Sequence, residues 1–245
     1  MSQLQAPHDG AGDVIVIIPA LNEEDSIASV LGAIPRDCVR EVVVVDNGST
    51  DGTAEVARRG GATVLSEPTR GYGHACMAGI RHAARTGGAV LVFLDGDYSD
   101  YPEELPLVAG PVLRAECDLV IGSRMTGERE PGAMLPQAVA GNWLASTLIR
   151  IFWGYQFTDL GPFRAVTMEA LHRMHLREMT FGWTVEMQIR AAQLGMRCRE
   201  VPVRYRKRIG HSKVTGTFSG TIRASVGILR TIARAILMQR DRATF

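Results

Sequence analysis

Short apolar runs at residues 14–18, 42–45, 63–65, 90–94 and 119–121 alternate with helix-patterned stretches at 23–33, 53–59, 74–85 and 103–113. A strand built almost wholly of apolar residues has no solvent face, so it belongs in a sheet covered on both sides. Alternation of such strands with helices predicts right-handed βαβ units and an α/β fold, a Rossmann-like, mostly parallel sheet flanked by helices. Sheets of this kind take their ligands at the C-terminal edge of the strands. The run 90–94 delivers Asp95-Gly96-Asp97 to that edge. Two carboxylates flanking a glycine make a compact set of hard oxygen donors, which suits Mg²⁺ or Mn²⁺ shared with a diphosphate. A solvated turn is the plainer use of the same three residues.

The chain has 245 residues, 46% of them hydrophobic, enough for one large α/β core. A formal net charge of +1 argues against a nucleic-acid protein as a whole. The charge is unevenly placed, however: residues 204–245 hold ten Lys or Arg against the single acid Asp241, so this end can meet an anionic partner. Cys38, Cys76, Cys117 and Cys198 are scattered without a CxxC pair, which predicts reduced, mostly buried thiols in a cytosolic protein. Residues 1–12 lack the pattern of a signal peptide and read as a loose tail. No segment reads as a membrane span, so any membrane contact is expected to be peripheral.

Beyond residue 124 the pattern changes to Gly- and Pro-broken loops. Helices are expected near 142–152, 185–194 and 218–239, with a short segment at 161–166 and a strand-like one at 199–205. Without a repeat or a low-complexity linker, a single continuous domain is expected over 13–217. Its nucleotide-binding half spans 13–124 and its acceptor half 125–217, and an amphipathic helix and tail follow at 218–245.

Two further loops should reach the ligand edge. Pro19-Ala20-Leu21-Asn22-Glu23-Glu24 ends the first strand, and Asp46-Asn47-Gly48-Ser49 ends the second. Asp46 can accept hydrogen bonds from a base or ribose, and Gly48 and Ser49 let a ligand approach the backbone; helix capping explains the same residues more plainly.

The ordered series PALNEE (19–24), VVVVDNGSTDGT (42–53), RGYGHA (70–75), LDGDYSDYPEEL (94–105), GSR (122–124), DLGPFRA (159–165), GWTVEM (182–187) and VPVRYRKRIGHSKVTGT (201–217) resembles glycosyltransferase family 2, with its GT-A fold. Within that family it is similar to the dolichyl-phosphate and polyprenyl-phosphate sugar synthases. The resemblance implies that Pro19, Ala20, Asn22, Glu23 and Asp46 surround the nucleoside of a nucleotide diphosphate sugar, and that Asp95 and Asp97 hold the divalent ion, with Gly96 between them. It implies that Arg206, Arg208, Ser212 and Lys213 belong to a basic loop closing over the diphosphate. At 70–75 the chain departs from the family pattern, with Arg70 and Tyr72 where Asn and Lys are common; Arg70 or His74 would supply the donor contact instead.

Arg124, just past the run 119–121, is placed by the resemblance near an acceptor phosphate, and a planar guanidinium suits a pair of phosphate oxygens. Arg129 is a second candidate, with a solvated loop charge as its alternative. Asp159 and Arg164 either pair structurally or face the sugar and acceptor. Trp183 can cover a sugar face, and Glu186 would be the base for an alcohol acceptor. The final helix sets Phe218, Ile222, Val226, Leu229, Ala233 and Ile236 at three- and four-residue steps beside Arg223, Arg230 and Arg234. That stripe fits core packing, a homodimer contact or an in-plane membrane helix.

The resulting expectation is a metal-dependent enzyme at the cytoplasmic membrane face that moves a hexose from UDP-glucose or GDP-mannose to a lipid phosphate, with inversion. The alternatives are a soluble transferase acting on a small phosphorylated acid or alcohol, and a nucleotide-sugar-binding regulator without turnover.

Overall fold

The computed structural model describes residues 13–210 and 218–243, with side chains of the final helix described from 225 to 238. The expected tail at 1–12 and the loop residues Ser212 and Lys213 lie outside the described residues.

Among the described residues seven strands form one sheet: β1 (Val14–Ala20), β2 (Glu41–Asp46), β3 (Thr63–Ser66), β4 (Val90–Phe93), β5 (Leu119–Ser123), β6 (Arg164–Thr167) and β7 (Cys198–Pro202). Their order is β3-β2-β1-β4-β6-β5-β7. All pairings are parallel except those of β6, which runs antiparallel to β4 (Val92 opposite Ala165) and to β5 (Val120 opposite Ala165). The expected uniform βαβ series therefore breaks after β4, because β6 takes the place beside it that β5 would have filled.

The apolar runs are explained by two cores. Ile15, Ile17, Val43, Val45, Leu91 and Phe93 face α3 (Tyr72–Thr86), α5 (Pro136–Trp153), α6 (Met168–Met174) and α7 (Trp183–Gln193). Val14, Val16, Ile18, Val42, Val44 and Val92 face α1 (Ile27–Ala33), α2 (Thr53–Arg59) and α4 (Leu105–Leu113). α3 and α5 end at left-handed glycines, Gly87 and Gly154, whose N–H groups close the last turns on Ala83 and Arg150. α6 was not anticipated; it begins where the Thr167 hydroxyl accepts the Ala170 N–H at 3.0 Å. The expected strand at 199–205 starts one residue earlier and stops at Pro202, and Tyr205 forms only isolated bridges to Asp100 and Arg129. All four cysteines are free; Cys76 and Cys117 are buried, and Cys38 and Cys198 are half-buried.

The last helix, α8 (Phe218–Ala243), packs on α5 and α7. Its buried line is not the expected stripe: Ile228, Ile232, Ala235 and Ile236 meet the core, whereas Val226, Leu229 and Ala233 are turned outward. Phe218, Ile222 and Arg223 lie outside the described side chains. Among the described residues no helix is long and apolar enough to cross a membrane.

α3 lies close to β1 through Gly79, where a Cβ would fall 2.5 Å from Ile17 Cγ2. Gly79→Ala should therefore cost about 1–3 kcal/mol by overpacking, read as a lower urea midpoint with an unchanged m-value. An unchanged midpoint would contradict this close approach.

Candidate functional site

The chain passes from β1 out to β2 and β3 and returns on the other side of β1 as β4, so the loops after β1 and β4 diverge and leave a crevice at their C-terminal ends. After β1 the backbone turns at Asn22, which adopts a left-handed φ of 52°. The Asn22 N–H donates to Ser49 Oγ at 2.9 Å, and Asn22 Oδ1 accepts the Thr50 N–H at 2.8 Å, stitching the loops after β1 and β2 together. Asp46 Oδ1 accepts the Ser49 N–H at 2.9 Å across Gly48. Buried Asn47 ties in the loop before α3: its Oδ1 accepts the Gly71 N–H at 2.8 Å, and its Nδ2 donates to the Glu67 and Thr69 carbonyls at 2.9 and 2.7 Å.

At the end of β4, the Tyr72 hydroxyl donates to Asp95 Oδ1 at 3.2 Å. Burial, and then the charge of Asp97, push the Asp95 carboxyl up to about 7, while Arg208 and Arg124 pull it back. Asp97 Oδ1 accepts the Ser99 N–H at 3.0 Å and hydroxyl at 2.5 Å, and its Oδ2 lies 2.8 Å from Arg208 Nη1. Ser26 Oγ donates to the Gly96 carbonyl at 2.8 Å, fixing the turn.

A cavity of about 450 Å³ occupies the crevice. Pro19, Ala20, Glu23, Arg70, Asp95, Gly96, Asp97 and Arg208 line it, as do Asn47 and Tyr72, together with Thr180 and Phe181 from the loop before α7. Asn22, Asp46, Gly48 and Ser49 brace this wall from the adjoining loops; the Arg70 guanidinium donates to the Gly48 carbonyl at 2.9 Å. The hard donors of Asp95 and Asp97 fit a divalent cation. Among the described residues no cluster of three His, Cys, Asp or Glu could hold a metal ion, so this pair would leave positions for diphosphate oxygens and water.

The acceptor side differs from expectation. Asp159 is fully buried and pairs with Arg124, not with Arg164: its Oδ2 accepts Arg124 N–H and Nε–H at 2.7 and 2.8 Å, and its Oδ1 accepts Nη2 at 2.8 Å. Arg124 also lies 5.0 Å from the Tyr205 ring centroid. Arg164 is sealed in the core, donating to the carbonyls of Leu160, Gly161 and Thr184, and burial lowers it to about 10. It cannot meet an acceptor from there. Nor can Trp183 present a sugar platform, because its fully buried indole packs on Phe93 and Tyr72 with centroids 4.8 and 6.0 Å apart.

Glu186 is turned to another cavity, and its Oε2 accepts the N–H groups of Arg177 and Glu178 at 2.8 and 2.7 Å. Arg129 is exposed, with Nη1 near the sulfurs of Met125 and Met134. Arg206 ties the segment after β7 to the loop after β4: it donates to the carbonyls of Tyr98 and Asp100 and stacks 3.5 and 4.0 Å from the Tyr98 and Tyr101 ring centroids.

Asn47 and Tyr72 line the cavity and Asp100 lies within the charge field of Asp95, places that the sequence pattern did not assign to them. Asn47 had a visible signal, an amide followed by Gly48 at a strand end. Asp100 is buried with neither carboxylate oxygen hydrogen-bonded among the described residues; burial, then the charge of Asp95, hold it well above the usual carboxylate range.

Residues 15–176 match the glycosyl transferase family 2 model. The chain is 37% identical over 224 residues to the undecaprenyl-phosphate mannosyltransferase of Micrococcus luteus, covering 84% of this chain and 89% of that protein. It is 35% identical over 233 residues to the dolichyl-phosphate hexose transferase of Haloferax volcanii, covering 94% and 96%. The fold is also similar to that of glucosyl-3-phosphoglycerate synthase from Mycobacterium tuberculosis, solved with Mn²⁺, UDP-glucose and phosphoglyceric acid. The TM-score is 0.70 at 26% identity, covering 94% of this chain and 81% of that one.

The Arg124–Asp159 pair can be tested without any ligand. Burial alone would raise Asp159, but the charge and hydrogen bonds of Arg124 outweigh it and hold the carboxyl below its ordinary value. A depressed folded-state pKa contributes stability above the unfolded value of about 3.9 and loses it as the pH falls through the folded value. Asp159→Asn should cost about 3–5 kcal/mol at pH 7, and the gap to wild type should narrow below about pH 4. A gap that stays constant down to pH 2.5 would show that the buried carboxyl is not ionised.

Proposed function

The chain belongs to glycosyl transferase family 2, and from that premise we propose that it transfers a hexose from a nucleotide diphosphate sugar to a polyprenyl or dolichyl phosphate at a membrane surface. The observation that carries this reading is the pairing of Asp95 and Asp97 on one wall of the cavity at the β1/β4 crevice, with Arg208 beside them. Asp95 and Asp97 would hold Mg²⁺ or Mn²⁺, which when bound neutralises charge on the departing nucleoside diphosphate. Pro19, Ala20, Glu23 and Arg70 would surround the nucleotide, with UDP-glucose and GDP-mannose as the donors to test. Asn22, Asp46, Gly48 and Ser49 support that wall.

A phosphate acceptor is already anionic at neutral pH, so direct displacement with inversion needs no strong base. The orientation of Glu186 away from the cavity agrees with this. Arg124, held rigidly by Asp159, is the acceptor-phosphate candidate near Asp95. Arg208 is the replaceable contact of the basic loop, because its partner Asp97 is itself a metal-ligand candidate. One Asp97 oxygen cannot serve both cations at full strength, so Arg208 becomes available to the diphosphate as the ion binds.

The lipid side rests on exposed apolar residues of two helices. Trp143 and Ile151 on α5 are 66% and 65% exposed, and Val226 and Leu237 on α8 are 57% and 60% exposed, with Arg150, Arg230 and Arg234 on the same two helices. A surface of this kind suits docking in the plane of an anionic bilayer. A small soluble acceptor is the second reading, favoured by the phosphoglyceric acid in the solved relative.

Purified protein offered UDP-glucose or GDP-mannose with undecaprenyl phosphate in vesicles, or with phosphoglyceric acid, should glycosylate the lipid. Transfer to the soluble acid with none to lipid would replace this reading by the second. Asp97→Asn should lower kcat by roughly two to three orders of magnitude while leaving the thermal transition in place; full metal-dependent turnover would reject the ligand assignment. Arg208→Ala should tighten binding of Mn²⁺ alone, measured by electron paramagnetic resonance, and weaken binding of the nucleoside diphosphate. Equal weakening of both would mean that Arg208 does not compete for Asp97.

A further inference from the structure

The loop between α6 and α7 separates the donor cavity from a second one of about 500 Å³. Thr180 and Phe181 face the donor, whereas Arg177 and Glu178 line the second cavity. Its apolar wall comes from three helices: Trp153 of α5, Ile189 of α7, and Ala235 and Met238 of α8.

The charged groups around it are not equivalent. Glu186 accepts the two backbone N–H groups already described, and Glu178 accepts the Thr180 N–H and hydroxyl on one oxygen and the Thr231 hydroxyl, at 3.4 Å, on the other. Arg190 donates to the Met174 carbonyl and to Gln193 Oε1, both at 2.7 Å. The guanidinium groups of Arg177 and Arg234 make no hydrogen bond or ion pair among the described residues. Three guanidinium groups and two carboxylates leave this wall net positive, with its two uncommitted donors both cationic. Phe152 and Met238 at the cavity are part of the exposed apolar face of α5 and α8.

We propose that this second cavity binds an anionic amphiphile, with its phosphate held by Arg177 and Arg234 and its hydrocarbon chain packed between α5, α7 and α8. Guanidinium groups pair with phosphate oxygens through charge-assisted hydrogen bonds, and an apolar chain gains by leaving water. A hydrophobic cavity with a few polar donors at its rim is the usual form of a small-molecule site. A membrane phospholipid and a polyprenyl phosphate share this chemistry. Binding here also bears on the donor side, since Glu178 is bonded both to Thr231 of α8 and to Thr180 in the wall of the donor cavity. The site is separate from Arg124, and its occupancy is measured without turnover, so failure of transfer to lipid phosphate would leave it untouched.

The test is calorimetric titration of the full chain with dihexanoyl phosphatidic acid and with farnesyl phosphate, each below its aggregation concentration, and with octyl glucoside and inorganic phosphate as tail-only and head-only probes. Saturable 1:1 binding of either amphiphile, weakened roughly tenfold or more by Arg177→Gln/Arg234→Gln and removed by Ala235→Trp, is the expected result. Binding of nucleoside diphosphate with Mn²⁺ should persist in both variants. Preference for phosphatidic acid would identify a bilayer lipid as the source, and preference for farnesyl phosphate an acceptor-like lipid. No binding of either amphiphile, binding indifferent to the two arginines, or equal binding of octyl glucoside would overturn the proposal. Because Ala235→Trp disturbs a packed helix, unaltered protein should also be photolabelled with a diazirine-tailed phosphatidic acid. Adducts confined to residues 152–153, 189–194 and 231–238 support the assignment, and adducts elsewhere refute it.

Discussion

β1 pairs in parallel with β2 on one side and β4 on the other, and the chain meets this demand only by crossing back over β1 after β3. A core on each face of the sheet enforces the arrangement, because any slip by one residue would exchange the face of every strand side chain. The crevice follows from that geometry. Ala20 pairs in register with Asp46, and Ile17 with Phe93, so the segments carrying Asn22, Ser49 and Asp95 emerge at one edge. Their hydrogen bonds then refine a position that the sheet has already imposed.

Charge is handled differently on the two sides of this edge. At Asp159 the cost of burying a carboxylate is offset by four donors, three from Arg124 and one from the Leu160 N–H, and the pair becomes a fixed part of the scaffold. Asp97 instead shares its oxygens between Ser99 and an arginine from a distant segment. Such a pair is exchangeable, since another cation for Asp97 and another anion for Arg208 leave neither charge bare. Rigid charge beside replaceable charge is a sensible division for the proposed function, in which one anion is held while another is released.

The strands β1, β2, β4 and β5 were legible because an unbroken apolar run has few other places to go. β6 was not placed in order: it has only four residues and opens on Arg164, whose charge ordinarily marks solvent. Its burial depends on carbonyls from residues 160, 161 and 184, a convergence that local sequence does not encode. The same non-local dependence misdirected Trp183, since an indole at a helix start looks alike whether it faces a sugar or packs on Phe93. Arg164 stands five residues from Asp159, and a pair between them was one of two readings, but the turn between them sends the guanidinium inward and leaves Asp159 to Arg124. More of the lining of the β1/β4 cavity was legible, because Pro19, Ala20, Glu23, Asp95 and Asp97 lie just at or past strand ends. At those positions, order along the chain translates directly into proximity.

The reversed strand has a consequence for how the molecule assembles. β3, β2, β1 and β4 form one continuous block, β5 and β7 form another, and within the sheet only β6 touches both. β6 pairs with β4 across more than seventy positions of chain, as far along the chain as β1 lies from β4 and β5 from β7, so neither block nor their junction closes by local pairing. Asp95 follows the last strand of the first block and Arg124 follows the first strand of the second. The two halves of the proposed site therefore meet across a seam, and docking of one short strand is what brings Asp95 and Arg124 to the same edge of the sheet.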